Sequence, residues 1–223
     1  MAYIDFLSHN HKSTNRDYLD RVNDPEYPKH IAATLAKNWG FDYWDGDRRI
    51  NYGGYHYRPG YWDAVAAAMV KHYELKPGDR VLDIGCGKAF LLFDLTKQVP
   101  ELEVCGLDIS EYALRNCKEE MRDKVIHGNA CDLPFKDEEF DYVFSINTLH
   151  NLHTFELDAA LREMQRVGKN KRYICVESYR NEVEKANLLY WQVTCEAFFT
   201  PDEWQWWFEL TNYSGDHSFI YFE

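Results

Sequence analysis

Two sets of residues in this chain are typed and spaced for chemistry. The first is Val81-Leu-Asp-Ile-Gly-Cys-Gly-Lys-Ala-Phe-Leu-Leu92, an apolar run with an acid, two glycines one residue apart, and then a helix-like apolar pattern. Gly85 and Gly87 carry no Cβ, so the backbone there can take positive φ and a ligand can approach closely. The turn also brings the unpaired N–H groups of the next helix to the ligand's polar end. That is the chemistry of holding a nucleoside. The second set handles protons. His150 offers a neutral imidazole near pH 7, although a histidine at a helix start can equally bond backbone. Glu177 can orient or deprotonate a substrate, or pair with a nearby arginine. Tyr57, with Tyr52, Tyr55 and His56, can close over the site and exclude water, and Gly53, Gly54 and Gly60 offer hinges. The His150 and His153 spacing comes with no clearly placed third ligand, so no metal site is expected.

These residues need elements that gather them. From Arg80 onward, short β-rich runs alternate with helical ones, the pattern of a parallel sheet flanked by helices. Strands are predicted at 80–84, 103–107, 124–127, 141–146 and 172–177, with a closing strand at 218–222. Helices are predicted at 28–38, 61–73, 89–99, 111–121, 155–167, 183–197 and 203–213. Ser110 is a plausible N-cap for the fourth helix. Thr200-Pro-Asp reads as a helix start. Residues 41–60 are dense in Tyr, Trp, Asp, Arg and Gly without a clean period, and read as an ordered lid over the ligand site or a surface segment packed on the core. Trp204, Trp207 and Phe208 sit at helical spacing and read as packing.

The chain has 223 residues, enough for one substantial core, with residues 1–60 as a lid segment and 61–223 as the domain proper. Lys plus Arg number 25 against 37 Asp plus Glu, a formal net charge of −12, with no basic stripe to track a phosphate backbone, so nucleic acid is not an expected partner. The six cysteines are scattered without a C-x-x-C pair and read as reduced thiols of a cytoplasmic protein. No apolar run approaches the roughly 20 residues of a membrane span, and no signal peptide is legible. Expected partners are a small molecule and, at most, a second copy of the chain, as monomer or homodimer.

Residues 61–177 resemble the class I S-adenosylmethionine-dependent methyltransferases, particularly the bacterial small-molecule type. Asp83-Ile-Gly-Cys-Gly-Lys-Ala resembles the family's first motif, and Gly106-Leu-Asp-Ile-Ser its acidic second-strand end. Gly128-Asn-Ala-Cys-Asp-Leu-Pro-Phe resembles the adenine-binding loop. Phe140-Asp-Tyr-Val-Phe with Leu149-His-Asn-Leu resembles the fourth strand and its following turn, and Arg162-Glu-Met-Gln-Arg-Val the helix before strand five. The resemblance implies an α/β, Rossmann-like methyltransferase fold: a mostly parallel six- or seven-stranded sheet, helices on both faces and an N-terminal helical and aromatic lid. It implies S-adenosyl-L-methionine as cofactor, S-adenosyl-L-homocysteine as product, and a small polar acceptor methylated on oxygen or nitrogen, with a faint pointer to a sugar or nucleotide-sugar.

The site residues follow from the same match. Asp108 lies about twenty residues beyond the glycine turn, where a carboxylate can accept both ribose hydroxyls. Ile109 would lie on the adenine face, and Asn129, Ala130 and Cys131 at its edge. Asp83 would organise the turn formed by Gly85, Cys86 and Gly87, accepting backbone or cofactor-amine hydrogen bonds. Asn147 follows strand four near the methyl group, and Arg58 would take the methionine carboxylate. Two positions depart from the family: Asn129, where Asp is frequent, and Ala89, where many relatives have glycine. The family's closing antiparallel hairpin also looks shortened. Two rival readings are a nicotinamide-dependent oxidoreductase and a non-catalytic protein that binds the same cofactor. The first would need glycine at position 90, where Phe90 stands.

Overall fold

A computed structural model describes residues 1–11, 17–51 and 56–223. Tyr52, Gly53, Gly54 and Tyr55 lie outside the described residues. Among the described residues, six strands form one sheet: β1 (Arg80–Ile84), β2 (Glu103–Asp108), β3 (Val125–His127), β4 (Phe140–Ile146), β5 (Gly168–Glu177) and β6 (Asp216–Ile220). Their order is β3-β2-β1-β4-β5-β6 and every pairing is parallel. The order reverses between β1 and β4, so a crevice opens beyond their carboxyl ends, where open α/β sheets take ligands.

Among the described residues, ten α-helices accompany the sheet: α1 (Ser8–His11), α2 (Asp20–Asn23), α3 (Lys29–Ala36), α4 (Phe41–Trp44), α5 (Asp63–Tyr73), α6 (Phe90–Gln98), α7 (Glu111–Arg115), α8 (Thr154–Val167), α9 (Glu182–Trp191) and α10 (Pro201–Leu210). Alternate strand residues serve opposite faces, as a pleated strand requires. Tyr142 and Phe144 pack with Met69 of α5 and Leu92 of α6 on one face. Val143 and Ile174 pack with Leu161 of α8 and with Trp204 and Phe208 of α10 on the other. Both faces are covered, which is why these strands read as continuous apolar runs.

Several expected boundaries moved, each for a hydrogen-bonding reason. The helix expected over 111–121 ends at Arg115. Asn116 Nδ2 bonds the Tyr112 carbonyl and Lys118 N–H bonds Lys88 O, so the chain turns before a 3₁₀ turn at Glu119–Met121. The helix expected over 183–197 stops at Trp191, because the Glu196 and Ala197 amides donate to His150 O instead of continuing the helix. Thr200 caps α10 in a reciprocal pair with Glu203, with Pro201 at its first position. The closing hairpin is replaced by one strand, β6, parallel to β5.

Beyond β6, Tyr3 forms a parallel bridge with His217, Phe6 packs edge-on against Tyr173, and Leu7 is buried in the core. Tyr3, Phe6 and Leu7 thus pack at the sheet edge. Among the described residues, no helix is long and apolar enough to cross a membrane.

Candidate cofactor and acceptor site

The turn after β1 is held by its neighbour strand. Gly85 and Gly87 have φ of +82° and +54°, and the Gly85 and Cys86 amides both donate to Leu107 O. The Gly87 amide donates to Asp108 Oδ2 at 2.7 Å, and Ser110 N–H donates to Asp108 Oδ1 at 2.7 Å. Asp108 and Leu107 thus organise the turn, the role expected of Asp83. A Cβ on Gly85 would collide with the Thr148 side chain, and one on Gly87 would lie 2.5 Å from the Trp44 ring. Ala89 also departs from expectation: it is buried in the left-handed region at φ +59°, ahead of α6 and outside it, so its helix propensity has no bearing there.

Asp83 and Asp108 are only 5% and 7% exposed. Burial, and for Asp83 the neighbouring Asp108 carboxylate, push both above the ordinary carboxylate range; for Asp108 the Ser110 and Gly87 amides partly offset the rise. Two buried acids at a strand-end crevice form a site built for donors, with capacity for hydroxyls and an ammonium. Beside Asp108, Ile109 exposes a large apolar side chain, while Ser110 caps α7 through Ala113 N–H at 3.0 Å. Across the groove, exposed Asn129 turns its Oδ1 onto Cys131 N–H at 2.9 Å, so the oxygen expected at an adenine edge also shapes its own loop, which carries half-buried Ala130 and Cys131. Burial raises the Cys131 and Cys86 thiols, keeping both protonated.

A second polar group gathers where β4 and β5 end. Asn147 is exposed with φ +56°, a left-handed turn that asparagine tolerates. His150, in a 3₁₀ turn at Leu149–Asn151, is 2% exposed, and burial pulls its imidazole down to about 3. Its Nε2 lies 3.5 Å from Glu177 Oε2, and its Nδ1 faces the Glu177 amide at 3.4 Å. An acceptor at Nδ1 assigns the ring proton to Nε2, toward the carboxylate. Gln192 Nε2 donates to Glu177 Oε1, and Trp204 Nε1 to the Glu177 carbonyl at 3.0 Å. Sequence reasoning placed Gln192 inside a helix and so missed it. Arg180 pairs with Glu184 and Glu223, not with Glu177.

The remaining expected residues lie elsewhere. Tyr57 donates its hydroxyl to Asp94 of α6 at 2.7 Å and packs on Phe90 and Phe93, so that hydroxyl is committed away from the His150 and Glu177 pair. Arg58 is exposed and, among the described residues, makes no ion pair. His153 precedes α8, and its Nδ1 stands 3.7 Å from Glu196 Oε2. Trp204, Trp207 and Phe208 are buried, as their spacing predicted.

A glycine turn under a strand-end acid, at the switch point of a parallel sheet, defines a nucleoside-binding α/β protein. The comparisons narrow this. The family model described as a methyltransferase domain matches residues 75–212, and the chain belongs to that family. It is built on the class I S-adenosylmethionine-dependent methyltransferase fold. It is 37% identical over 120 residues to the demethylmenaquinone methyltransferase of Lysinibacillus sphaericus, covering 51% of this chain and 50% of that one. The demethylmenaquinone methyltransferase of Staphylococcus saprophyticus is 32% identical over 152 residues, covering 62% and 64%. The chain thus spans about half to under two thirds of the length of these curated relatives. Among solved structures, the YcgJ protein of Bacillus subtilis superposes with a TM-score of 0.54 at 22% identity, covering 66% of each chain, which supports the fold.

Proposed function

We propose that this chain transfers a methyl group from S-adenosylmethionine to a small molecule seated at the carboxyl ends of β4 and β5. The observation that carries the reading is the Asp108-braced glycine turn within a methyltransferase-family chain. The fit rests on chemistry: two buried carboxylates, Asp83 and Asp108, stand beside a positive-φ glycine turn at the ends of neighbouring strands. Asp108 would take the ribose hydroxyls, Asp83 the amine, Ile109 the adenine face and Asn129, Ala130 and Cys131 its edge. Gly85, Cys86 and Gly87 would form the floor, with Asn147 beside the reacting end and Arg58 toward the carboxylate. The bound cofactor supplies an electrophilic methyl group, and the protein's work is to hold the acceptor in line and dry.

Glu177 and His150 are the groups proposed for the acceptor. His150, neutral, faces the Glu177 carboxylate with Nε2 3.5 Å from Oε2, while Gln192 donates to Oε1. Glu177 is then placed to hold or remove an acceptor proton. Sequence offered His150 as a neutral imidazole for proton transfer; in this reading it stands behind Glu177. Tyr57 has no part in it.

The relatives' names point to a quinone-type acceptor in place of a sugar. Calorimetric titration with S-adenosylhomocysteine, S-adenosylmethionine and NAD tests the cofactor: the first two should bind at micromolar levels and NAD should not. Reduced demethylmenaquinone and a nucleotide-sugar are then compared as acceptors by the S-adenosylhomocysteine each releases. Glu177→Gln should lower kcat about 100-fold with cofactor affinity held within twofold. Binding of NAD alone would sink the reading.

A further inference from the structure

Residues 39–51 lie directly across the turn and strand end assigned above to the cofactor. The segment is folded on itself. Gly46 turns so tightly that a Cβ there would meet the Asp42 backbone at 2.6 Å, and Asn51 Nδ2 bonds the Gly46 and Asp47 carbonyls. Its contacts with the domain fall on both sides of Asp108. On the glycine-turn side, the Trp44 ring covers Gly87, and Asp45 receives buried Lys88 Nζ at 2.6 and 2.8 Å. On the β2 side, Ser110 receives Trp44 Nε1 at 2.9 Å and gives its own hydroxyl to Trp39 O, while Tyr112 donates its hydroxyl to Asp45 at 2.9 Å.

Beneath this bridge the groups a nucleoside must reach are shut off. Gly87 is buried, Asp108 is 7% exposed, and the face of Gly87 left open by its missing side chain is filled by Trp44. We propose that residues 39–45 form a latched gate over the cofactor site, that the Asp45 and Lys88 ion pair is its latch, and that cofactor passes only when the gate lifts. This rests on the S-adenosylmethionine reading of the same site. Asp45 is the natural release point, since one carboxylate joins the gate to both loops through Lys88 and Tyr112. Lys88 sits at the turn and Tyr112 on α7, so the latch also ties together the two elements that brace Asp108.

The test is stopped-flow binding of S-adenosylhomocysteine to the full chain, followed by intrinsic tryptophan fluorescence, with Trp44→Phe assigning the signal. In the wild type the observed rate should level off with ligand concentration, at the opening rate. Asp45→Asn should raise that plateau and the dissociation rate by about tenfold, and Tyr112→Phe should raise both about threefold, as the ion pair and the single hydroxyl–carboxylate bond to the latch are lost in turn. Amide exchange over 39–45 should speed up in Asp45→Asn and slow when S-adenosylhomocysteine binds. If Asp45→Asn does not fold, Tyr112→Phe and the wild-type exchange data decide. A wild-type rate that climbs linearly without a plateau, or rates unchanged within twofold in both variants, overturns the gate while leaving the cofactor reading intact. No binding by wild type or variants overturns both.

Discussion

His150 is a histidine kept neutral by burial, and this has a measurable pH signature. Its folded value is drawn down to about 3, against about 6.5 for an unconstrained imidazole. The unfolded chain therefore binds a proton below pH 6.5 that the folded chain refuses. The stability this residue contributes is complete above pH 6.5 and is lost as pH falls toward 3, at up to about 1.4 kcal/mol per pH unit. His150→Asn should flatten that part of the profile, read as the difference between wild-type and variant urea midpoints from pH 7 to pH 4. An equal slope in both would mean the imidazole is not desolvated. Asp108 gives the binding counterpart. Asp108→Asn should weaken S-adenosylhomocysteine about tenfold or more, since charge-assisted bonds to two hydroxyls are lost, while a calorimetric titration of His150→Asn should show affinity retained. At this scale the glycine turn and the acid at the end of β2 were legible because glycine and a strand-end acid are tied to position along the chain. His150 and Glu177 were legible only as types, and Gln192 was not singled out at all. Their partnership depends on burial and on a loop returning from residue 192, which spacing alone does not encode.

Among the elements, the turn between β1 and α6 is the least tolerant of change. Gly87→Ala would place a methyl group 2.5 Å from the Trp44 ring, in a backbone region that costs an L-residue about 1–2 kcal/mol. The variant should melt at lower urea and bind S-adenosylhomocysteine more weakly; a variant indistinguishable from wild type in both measurements would refute the close packing described here. All six strands were readable from apolar runs bounded by turn residues, because a sheet buried on both faces leaves that imprint. The helices were read less well at their ends. The expected helix over 111–121 lacked the Asn116 and Lys118 hydrogen bonds that divert the chain, and the one over 183–197 lacked the pull of His150 O on the Glu196 and Ala197 amides. Helix periodicity reports which residues face the core, while helix ends are set by where each amide finds its acceptor.

For the whole molecule, the N-terminal residues carry an unexpected load. Leu7 is buried, Phe6 packs on Tyr173, and Tyr3 bridges His217, so removing residues 1–7 uncovers core and leaves the outer edge of β6 without its bridge. Loss of the Leu7 side chain alone is worth about 2–5 kcal/mol, and the truncated chain should melt at least about 5 °C lower and scatter more light as free edges pair. A truncated chain with unchanged melting would show this strand edge to be decorative. The overall layering was legible from the alternation of strands and helices. The parallel closing strand and its cover were not, because nothing near residue 3 announces a partner at residue 217. That pairing also imposes an order on biogenesis. Residues 3–7 are made well before β6, so until β6 emerges β5 has no outer neighbour and Leu7 has no pocket. The nascent chain therefore completes its ligand-facing strands well before its far edge, and it is the far edge that a chaperone would have to guard.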